Sequence, residues 1–144
     1  MIVKAIRDTL AASVKVTRHL AQWPFDGSTY LPAIFTTSQP PASAPAPYLI
    51  VTQTGEDADV GELGHRGRLV RLEVLVTTNK LETDRGPRVL ANDIFSVLDR
   101  LPITPEGHEQ ATLLVDTPSR ELDANGFPGY RLGIIIHARE TEEA

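Results

Sequence analysis

The N-terminal segment alternates apolar and charged positions with the period of an α-helix. Charged side chains at Lys4, Arg7 and Lys15 fall between the apolar positions, and Pro24 and Gly27 then interrupt regular structure. Three- and four-residue intervals place side chains on one face of a helix. We therefore predict a single amphipathic helix from Ile2 to Leu20. Its recurring positions are Val3, Ile6, Leu10, Val14 and Thr17.

Three later segments alternate apolar and polar residues with the period of a β-strand. They read YLIVTQT from Tyr48, GRLVRLEVLVTT from Gly67 and GYRLGIIIHARE from Gly129. Alternate residues of a strand point to opposite faces of a sheet. AIFTT predicts one more short strand, and QATLLVDT another that pairs with the last strand as a hairpin. Asn125-Gly126 suits the tight connection of that hairpin. In the second segment the apolar face consists of Val70, Leu72, Val74 and Val76.

A second helix is predicted in TDRGPRVLANDIFSVLDRL, which begins at Thr83. Thr83 or Asp84 is a suitable N-cap, and Pro87 suits a first helical turn. An apolar stripe follows, made of Leu90, Ile94, Val97 and Leu101. The order of helix, strands, helix and hairpin predicts an α+β fold, with a mostly antiparallel sheet and two helices packed on one of its faces.

Two segments are predicted to be loops inside a single domain of residues 1–144. The proline-rich run from Ser38 to Pro47 has few amide donors and fixed φ angles, so it favours an extended surface loop. An interdomain linker is the other interpretation, but a cut at residue 47 leaves an N-terminal piece too small for a good core. Residues 55–67 carry four glycines and several acids, and we predict a mobile acidic loop there.

The second face of the predicted sheet mixes apolar and charged residues. A face wholly exposed to water is usually more polar. Isolated exposed apolar residues are nevertheless common, so two interpretations stay open: a solvent-facing surface and a surface covered by another subunit. The candidates for a subunit interface are Leu69, Arg71, Glu73, Leu75, Arg131 and Ile135.

Composition indicates an ordinary globular domain and excludes several kinds of site. Hydrophobic residues make up 41% and charged residues 23% of the 144 residues, as in an ordinary globular domain. The formal net charge of −5 disfavours nonspecific attraction to phosphate. No cysteine is present, which excludes disulfides and thiolate metal sites. Neither a signal peptide nor a membrane span is visible, so we expect a soluble domain that does not bind membranes.

Motifs for catalysis or cofactor binding are missing. The sequence has no Gly-x-Ser-x-Gly, His-Glu-x-x-His or phosphate-loop motif. Glu56, Asp57 and Asp59 offer oxygen ligands for a hard cation, but the spacing of a calcium loop is absent, which favours a solvated acidic loop. The four histidines are scattered. We expect no enzymatic activity, no cofactor and no metal.

Taken together, the order of elements and several strings resemble a known family. The strings are LPAIFTT, a proline-rich approach to PYLIVTQTG, RLVRLEVLVTT, GPRVLANDIFSVLDRL and DANGFPGYRLGIIIHARE. The chain resembles, over nearly its whole length, the tail terminator or tail completion proteins of long-tailed bacteriophages. The resemblance implies a non-catalytic α+β protein, assembled in the host cytoplasm into a hexameric ring in the virion tail. That ring caps the tail tube, ends its polymerisation and joins the tail to the head.

The implied partners are further copies of the chain, the tail tube protein and a neck or head-completion protein. A neck or head–tail joining protein of similar fold is the nearest alternative. A small-ligand or cation-binding module built on the acidic loop is the alternative from another class. For docking to the tube or neck, the acidic segment supplies the candidates Glu56, Asp57, Asp59, Glu62, His65 and Arg66.

Overall fold

The computed structural model describes residues 2–36, 47–60, 66–77, 85–104, 107–122 and 128–139. Its helices are α1 (Ile2–Ala12), α2 (Val14–Thr17) and α3 (Arg85–Leu98). The strands are β1 (Gln22–Pro24), β2 (Tyr30–Pro32), β3 (Ile34–Phe35), β4 (Tyr48–Val60), β5 (Arg66–Thr77), β6 (Pro102–Ile103), β7 (Ala111–Thr112), β8 (Leu114–Val115), β9 (Ser119–Leu122) and β10 (Pro128–Arg139). The proline-rich segment 38–46 and the Asn125-Gly126 turn lie outside the described residues.

The main sheet has the strand order β3-β4-β5-β10-β8, and β9 also pairs with β10. All of these pairs are antiparallel except β3 with β4. Strands β4, β5 and β10 are long and form the centre of the sheet. Two small hairpins, β1-β2 and β6-β7, lie outside it. The predicted fold class, α+β with a mostly antiparallel sheet, is confirmed.

The core lies between one face of the sheet and the helices. β5 contributes Val70, Leu72, Val74 and Val76 to it, and β10 contributes Leu132, Ile134 and Ile136. Ile6 and Leu10 of α1 and Leu90, Ala91, Ile94 and Leu98 of α3 pack against them. Burial of this apolar surface is the main stabilising term. The predicted alternation on β5 and β10 is therefore correct.

The prediction of one helix from Ile2 to Leu20 was wrong in the middle and at its end, because α2 ends at Thr17. Ser13 has extended backbone angles, φ −91° and ψ 112°, and separates α1 from α2. This extended residue changes the helical phase, so the apolar positions predicted after it no longer face the core. Val16 and Leu20 are buried instead, while Val14 is 76% exposed.

Asp93 of α3 holds α2 in place. Its carboxylate is largely buried and lies 2.9 Å from His19 Nε2 and 3.4 Å from the Arg18 guanidinium. Lys15 Nζ lies 3.8 Å from the same carboxylate and donates a 2.7 Å hydrogen bond to Ser96 Oγ. Lys15 of the short helix and Arg18 and His19 just after it thus converge on one carboxylate of the long helix, which complements the apolar contact between the two helices.

The predicted loop over residues 55–67 was wrong at both ends. β4 continues to Val60 and β5 begins at Arg66, and the two strands pair in register from Glu56↔Val70 to Val60↔Arg66. A shift of register between Gln53 and Gly55 marks a β-bulge. Residues 61–65 lie outside the described residues, so the predicted mobility stays untested.

Two further local predictions need correction. The segment QATLLVDT forms two short strands, β7 and β8, rather than one. Leu113 separates them, because its amide donates to the Leu101 carbonyl and its carbonyl accepts from the Arg100 amide instead of pairing with β10. The strand that directly precedes the last connection is β9. The β1-β2 hairpin was not predicted, since three-residue strands containing proline carry almost no periodic signal.

Candidate interaction surface

The face of the sheet opposite the helices has a regular order of side chains. Directly opposed residues on neighbouring strands share a face, so the strand register defines rows across it. A row at one end contains Tyr48, Thr77, Gly129 and Glu121, and three rows follow it towards the middle of the sheet. The first row is Phe35, Ile50, Leu75, Arg131 and Ser119. The second row is Thr52, Glu73 and Gly133, and the third is Gly55, Arg71, Ile135 and Leu114. We call this whole face of the sheet the outer face.

Charges on the outer face are arranged around Arg131. Its guanidinium lies 3.0 Å from a Glu121 carboxylate oxygen and 3.5 Å from one of Glu73. These three side chains come from three strands, β10, β9 and β5, and remain partly exposed. Such exposed pairs contribute little to stability, at most about 1 kcal/mol each. They leave a charged and solvated centre on the outer face.

Asp116 occupies the space that Gly133 leaves open. The Asp116 amide donates to the Gly133 carbonyl over 2.9 Å, and a Cβ at position 133 would lie 3.0 Å from Asp116 Oδ2. A carboxylate from the chain just after β8 thus lies over β10 in the second row. The sequence analysis missed Asp116, Glu121 and Leu114, which only the strand pairing brings to this face.

An aromatic cluster covers the β3-β4 end of the outer face. Phe35 is buried, and its ring centroid lies 5.3 Å from that of Phe25, 5.5 Å from Tyr48 and 6.1 Å from Trp23. Ile50, beside Phe35 in the first row, is buried as well. Trp23 and Phe25 therefore pack on the outer side of the sheet rather than in the main core.

The β1-β2 hairpin that carries this cluster is tied to the sheet by backbone hydrogen bonds. The Ala21 amide donates to the Pro47 carbonyl, the Ala33 amide to the Ala21 carbonyl, and the Leu49 amide to the Ala33 carbonyl, all within 2.9–3.0 Å. At the hairpin turn, Asp26 Oδ1 accepts the amides of Ser28 and Thr29. These two bonds hold the pKa of the Asp26 carboxyl below its ordinary value. The hairpin has a defined position at one edge of the sheet.

The structure places the predicted interface candidates together. Arg71 and Arg131 are exposed on the outer face, and Glu73, Leu75 and Ile135 are half-buried there. Leu69 lies on β5 opposite His137, at a position whose side chain is not described. The docking candidates do not form one loop: Glu56, Asp57 and Asp59 lie on β4, Arg66 begins β5, and Glu62 and His65 lie outside the described residues.

The described part of the chain contains neither a membrane-spanning helix nor a cluster of metal-binding side chains. None of its helices has both the length and the apolarity needed to cross a membrane. No three side chains of the types that bind metals cluster among the described residues.

Comparison with known proteins identifies the fold. The sequence matches no protein-family model and no curated protein. Among solved structures, it is similar to a chain from the virion of a native gene transfer agent (GTA) particle, with a TM-score of 0.63. The two chains share a fold. The superposition covers 96% of this chain and 93% of the virion chain, at 15% sequence identity. The shared fold therefore extends over nearly the whole of both chains.

Proposed function

We propose that this protein is a structural component of a phage-like virion, and more specifically a tail terminator that forms a ring at the end of the tail tube. The observation that carries the proposal is the similarity of fold, over almost the full length of both chains, to a chain of a GTA virion particle. The resemblance of the sequence to tail terminators supports the more specific role. In this role the chain acts through protein–protein contacts, not catalysis.

The outer face supports a role in subunit contact. It combines half-buried Leu75 and Ile135 with exposed Leu114 and the charges around Arg131. Protein interfaces that form from soluble subunits are of this mixed kind, with apolar contacts inside a polar rim. In the proposed ring, Arg71, Glu73, Leu75, Arg131 and Ile135 lie in the contact between neighbouring copies. Leu69 belongs to the same proposed set.

The acidic strand end supports a docking role at one end of the ring. Glu56, Asp57 and Asp59 follow one another along the last residues of β4, and Glu62 lies just beyond it in the sequence. Arg66 and Arg68 of β5 pair with the same stretch of β4, and charged groups concentrated at one end of a subunit favour a partner with a complementary arrangement of charge. We place the contact with the tail tube or the neck here, together with His65 and Arg66.

Electron microscopy of the purified protein, with and without isolated tail tubes, tests this function. The expected result is a ring of six copies seated on the tube end, together with arrested tube elongation when the protein is added to polymerising tube subunits. Tubes that elongate unchanged and carry no density at their ends contradict the terminator role.

The same experiment separates the nearest alternative. A neck or head–tail joining protein of the same fold binds the completed tail or the head vertex but leaves tube polymerisation unaffected. Gold labelling of the protein within purified particles then locates it on the head side of the tail end rather than directly on the last tube ring.

A further inference from the structure

The second half of β4 has an edge with which no described strand pairs. On the side of β4 away from β5, the neighbouring strand is β3, and it pairs with Leu49 and Ile50 alone. β4 nevertheless continues to Val60, paired with β5 on its other side. We call residues Glu56–Val60 the open edge. The backbone donors and acceptors along such an edge are a template for the addition of another strand.

The strand pairing shows which backbone groups face the open edge. The Leu49 amide donates to the Ala33 carbonyl, on the side away from β5. Leu49 and Val76 are therefore an antiparallel pair without mutual hydrogen bonds. The register shift inserts its extra residue, Thr54, into β4 and none into β5. Every second residue of β5, counted from Val76, thus forms the same kind of pair with β4.

In the open edge, this alternation assigns a direction to each backbone amide. The residues opposite Val70, Arg68 and Arg66 direct their N–H and C=O groups away from β5, and they are Glu56, Ala58 and Val60. Asp57 and Asp59, which lie between them, direct theirs to β5. The open edge therefore offers three residues with the spacing that one added strand requires.

The open edge also carries negative charge. Glu56, Asp57 and Asp59 belong to it, and β4 contains no lysine or arginine. The β5 residues directly opposite these three acids are uncharged, namely Val70, Leu69 and Gly67, since Arg66 and Arg68 lie opposite Val60 and Ala58. Opposite charges directly across a strand pair are stabilising and like charges are destabilising. A strand added at the open edge is therefore favoured when it places basic residues opposite the acids.

We infer that the open edge binds an extended, basic segment of another protein as an added β-strand. The backbone of that segment pairs with Glu56, Ala58 and Val60, and its lysines or arginines lie opposite Asp57 and Asp59. In this mode of recognition, main-chain hydrogen bonds supply affinity and side chains supply specificity. The inference deepens the docking role proposed above: that the segment belongs to a tail tube or neck protein rests on the proposed function, whereas the open edge and its charge do not.

The segments that this chain itself offers do not have the required chemistry. A second copy of β4 places acids opposite acids, which is destabilising. The prolines of residues 38–47 lack the amide donors of a pairing strand. The last residues of the chain include Glu140, Glu142 and Glu143, which are acidic. The complementary strand therefore comes from a different protein.

Amide-resolved NMR with a synthetic peptide of alternating lysine and threonine tests the inference. In the unbound chain, the Asp57 amide is expected to exchange slowly, because it bonds to β5, and the amides of Glu56, Ala58 and Val60 are expected to exchange rapidly. Peptide binding protects these three amides. The same peptide with glutamate in place of lysine, or with N-methylated amides, is expected not to bind. Equal binding of all three peptides overturns the inference.

A proline substitution tests the role of the backbone. Ala58→Pro removes the middle donor of the open edge, and edge strands tolerate proline where the missing N–H faces away from the sheet. We expect the variant to melt like the unmodified chain and to bind the lysine peptide about 10-fold or more weakly. Ala58→Ser keeps the amide and is the matched control. If Ala58→Pro does not fold, the N-methylated peptide answers the same question.

A second variant tests the role of the charge. Asp57→Asn combined with Asp59→Asn keeps the backbone of the open edge and removes two of its charges. Binding of the lysine peptide is expected to weaken about 10-fold and to depend less on salt, because two cross-strand ion pairs are lost. Unchanged affinity in this variant shows that the charges do not select the partner, and overturns its basic chemistry.

The outcomes separate this inference from the proposed function. If Ala58→Pro blocks the peptide while the unmodified chain leaves tube elongation unaffected, the terminator role is wrong and the open edge stands. If rings form on tube ends but Ala58→Pro binds the peptide as tightly as the unmodified chain, the inference is wrong and the ring stands. Self-association that Ala58→Pro abolishes assigns the open edge to a second copy and also overturns the inference.

Discussion

Gly129, at the start of β10, lies against the backbone of the neighbouring strand. A Cβ added there would lie 2.5 Å from the Val76 carbonyl oxygen. A backbone atom in the middle of a paired strand moves only if the hydrogen-bonded neighbouring strands move with it, whereas a flexible side chain can rotate away. Position 129 therefore accepts only glycine for steric reasons.

We expect Gly129→Ala to destabilise the domain by about 1–3 kcal/mol, the usual range for overpacking. The matched control is Gly55→Ala, since the nearest atoms to a Cβ there are those of the Arg71 side chain at 3.9–4.0 Å. Urea unfolding of both variants measures the difference. Equal losses of unfolding free energy in the two variants contradict the steric argument.

The stability of the hairpin turn depends on pH through the carboxyl group of Asp26. Its lowered pKa results first from the backbone hydrogen bond of Thr29 and then from that of Ser28, both of which favour the charged carboxylate. Because the folded-state pKa lies below the ordinary value of 3.8, this stabilisation is complete above that value. It is lost as the pH falls through the lowered pKa.

Fluorescence of Trp23, the single tryptophan, is a local reporter because its ring packs against Phe35. At pH 7 we expect Asp26→Asn to loosen the hairpin at a lower temperature than in the unmodified chain. The difference in transition temperature between the two proteins shrinks as the pH is lowered below the carboxyl pKa, where the side chains of Asp26 and of the asparagine that replaces it are both neutral. A difference that stays constant from pH 7 into the acid range shows that the charge of Asp26 does not stabilise the turn.

At the scale of elements, the side chains of β5 alternate between the core and the outer face of the sheet. Val74 is fully buried and lies opposite Val51 and Leu132, whereas its neighbour Leu75 is half-buried on the outer face, opposite Ile50 and Arg131. Adjacent positions of one strand thus belong to different environments. The same substitution at the two positions distinguishes folding from assembly.

We expect Val74→Glu to unfold the domain, because a carboxylate in the core has neither water nor a partner. Leu75→Glu, in contrast, leaves the monomer folded, with a loss of about 1 kcal/mol or less. It weakens ring assembly because the new charge loses its water in the contact. Thermal melting and particle size, measured on both variants, check this. If the Leu75→Glu protein is folded and still forms rings, the subunit contact lies elsewhere. If its melting temperature is as low as that of Val74→Glu, Leu75 belongs to the core.

For the whole molecule, net charge governs the response to DNA. The chain carries 14 lysines and arginines against 19 acids, so its overall field repels phosphate. We expect no appreciable binding to duplex DNA at physiological salt, a property compatible with a ring through which DNA passes. Fluorescence anisotropy with labelled duplex measures this. Submicromolar affinity with a steep salt dependence contradicts it and favours a DNA-engaging neck role.

Sequence periodicity by itself determined the long elements and the face that each one buries. β5 and β10 carry uninterrupted apolar alternations, and their buried residues match the predicted ones. In α3, Leu90 and Ile94 are buried as predicted, whereas Leu98 is buried in place of Val97, and Leu101 lies beyond the end of the helix. These patterns are local, so nothing distant has to be known to read them. The alternation on β5 and β10 also implied an outer face on which Arg71, Leu75 and Arg131 lie together.

Tertiary structure decided the features that depend on partners distant in the chain. The segment from Gly55 to Val60 contains a glycine and three acids of low strand propensity, yet it forms a strand because β5 pairs with it along its whole length. Ser13 breaks the first helix in a segment whose apolar positions read as continuous, and Val16 and Leu20 replace the predicted positions in the core. The placement of Leu114 at the β8 edge of the main sheet follows from strand order, which periodicity does not encode. Local patterns specify which face of an element is buried, but only pairing between distant strands specifies which elements become neighbours.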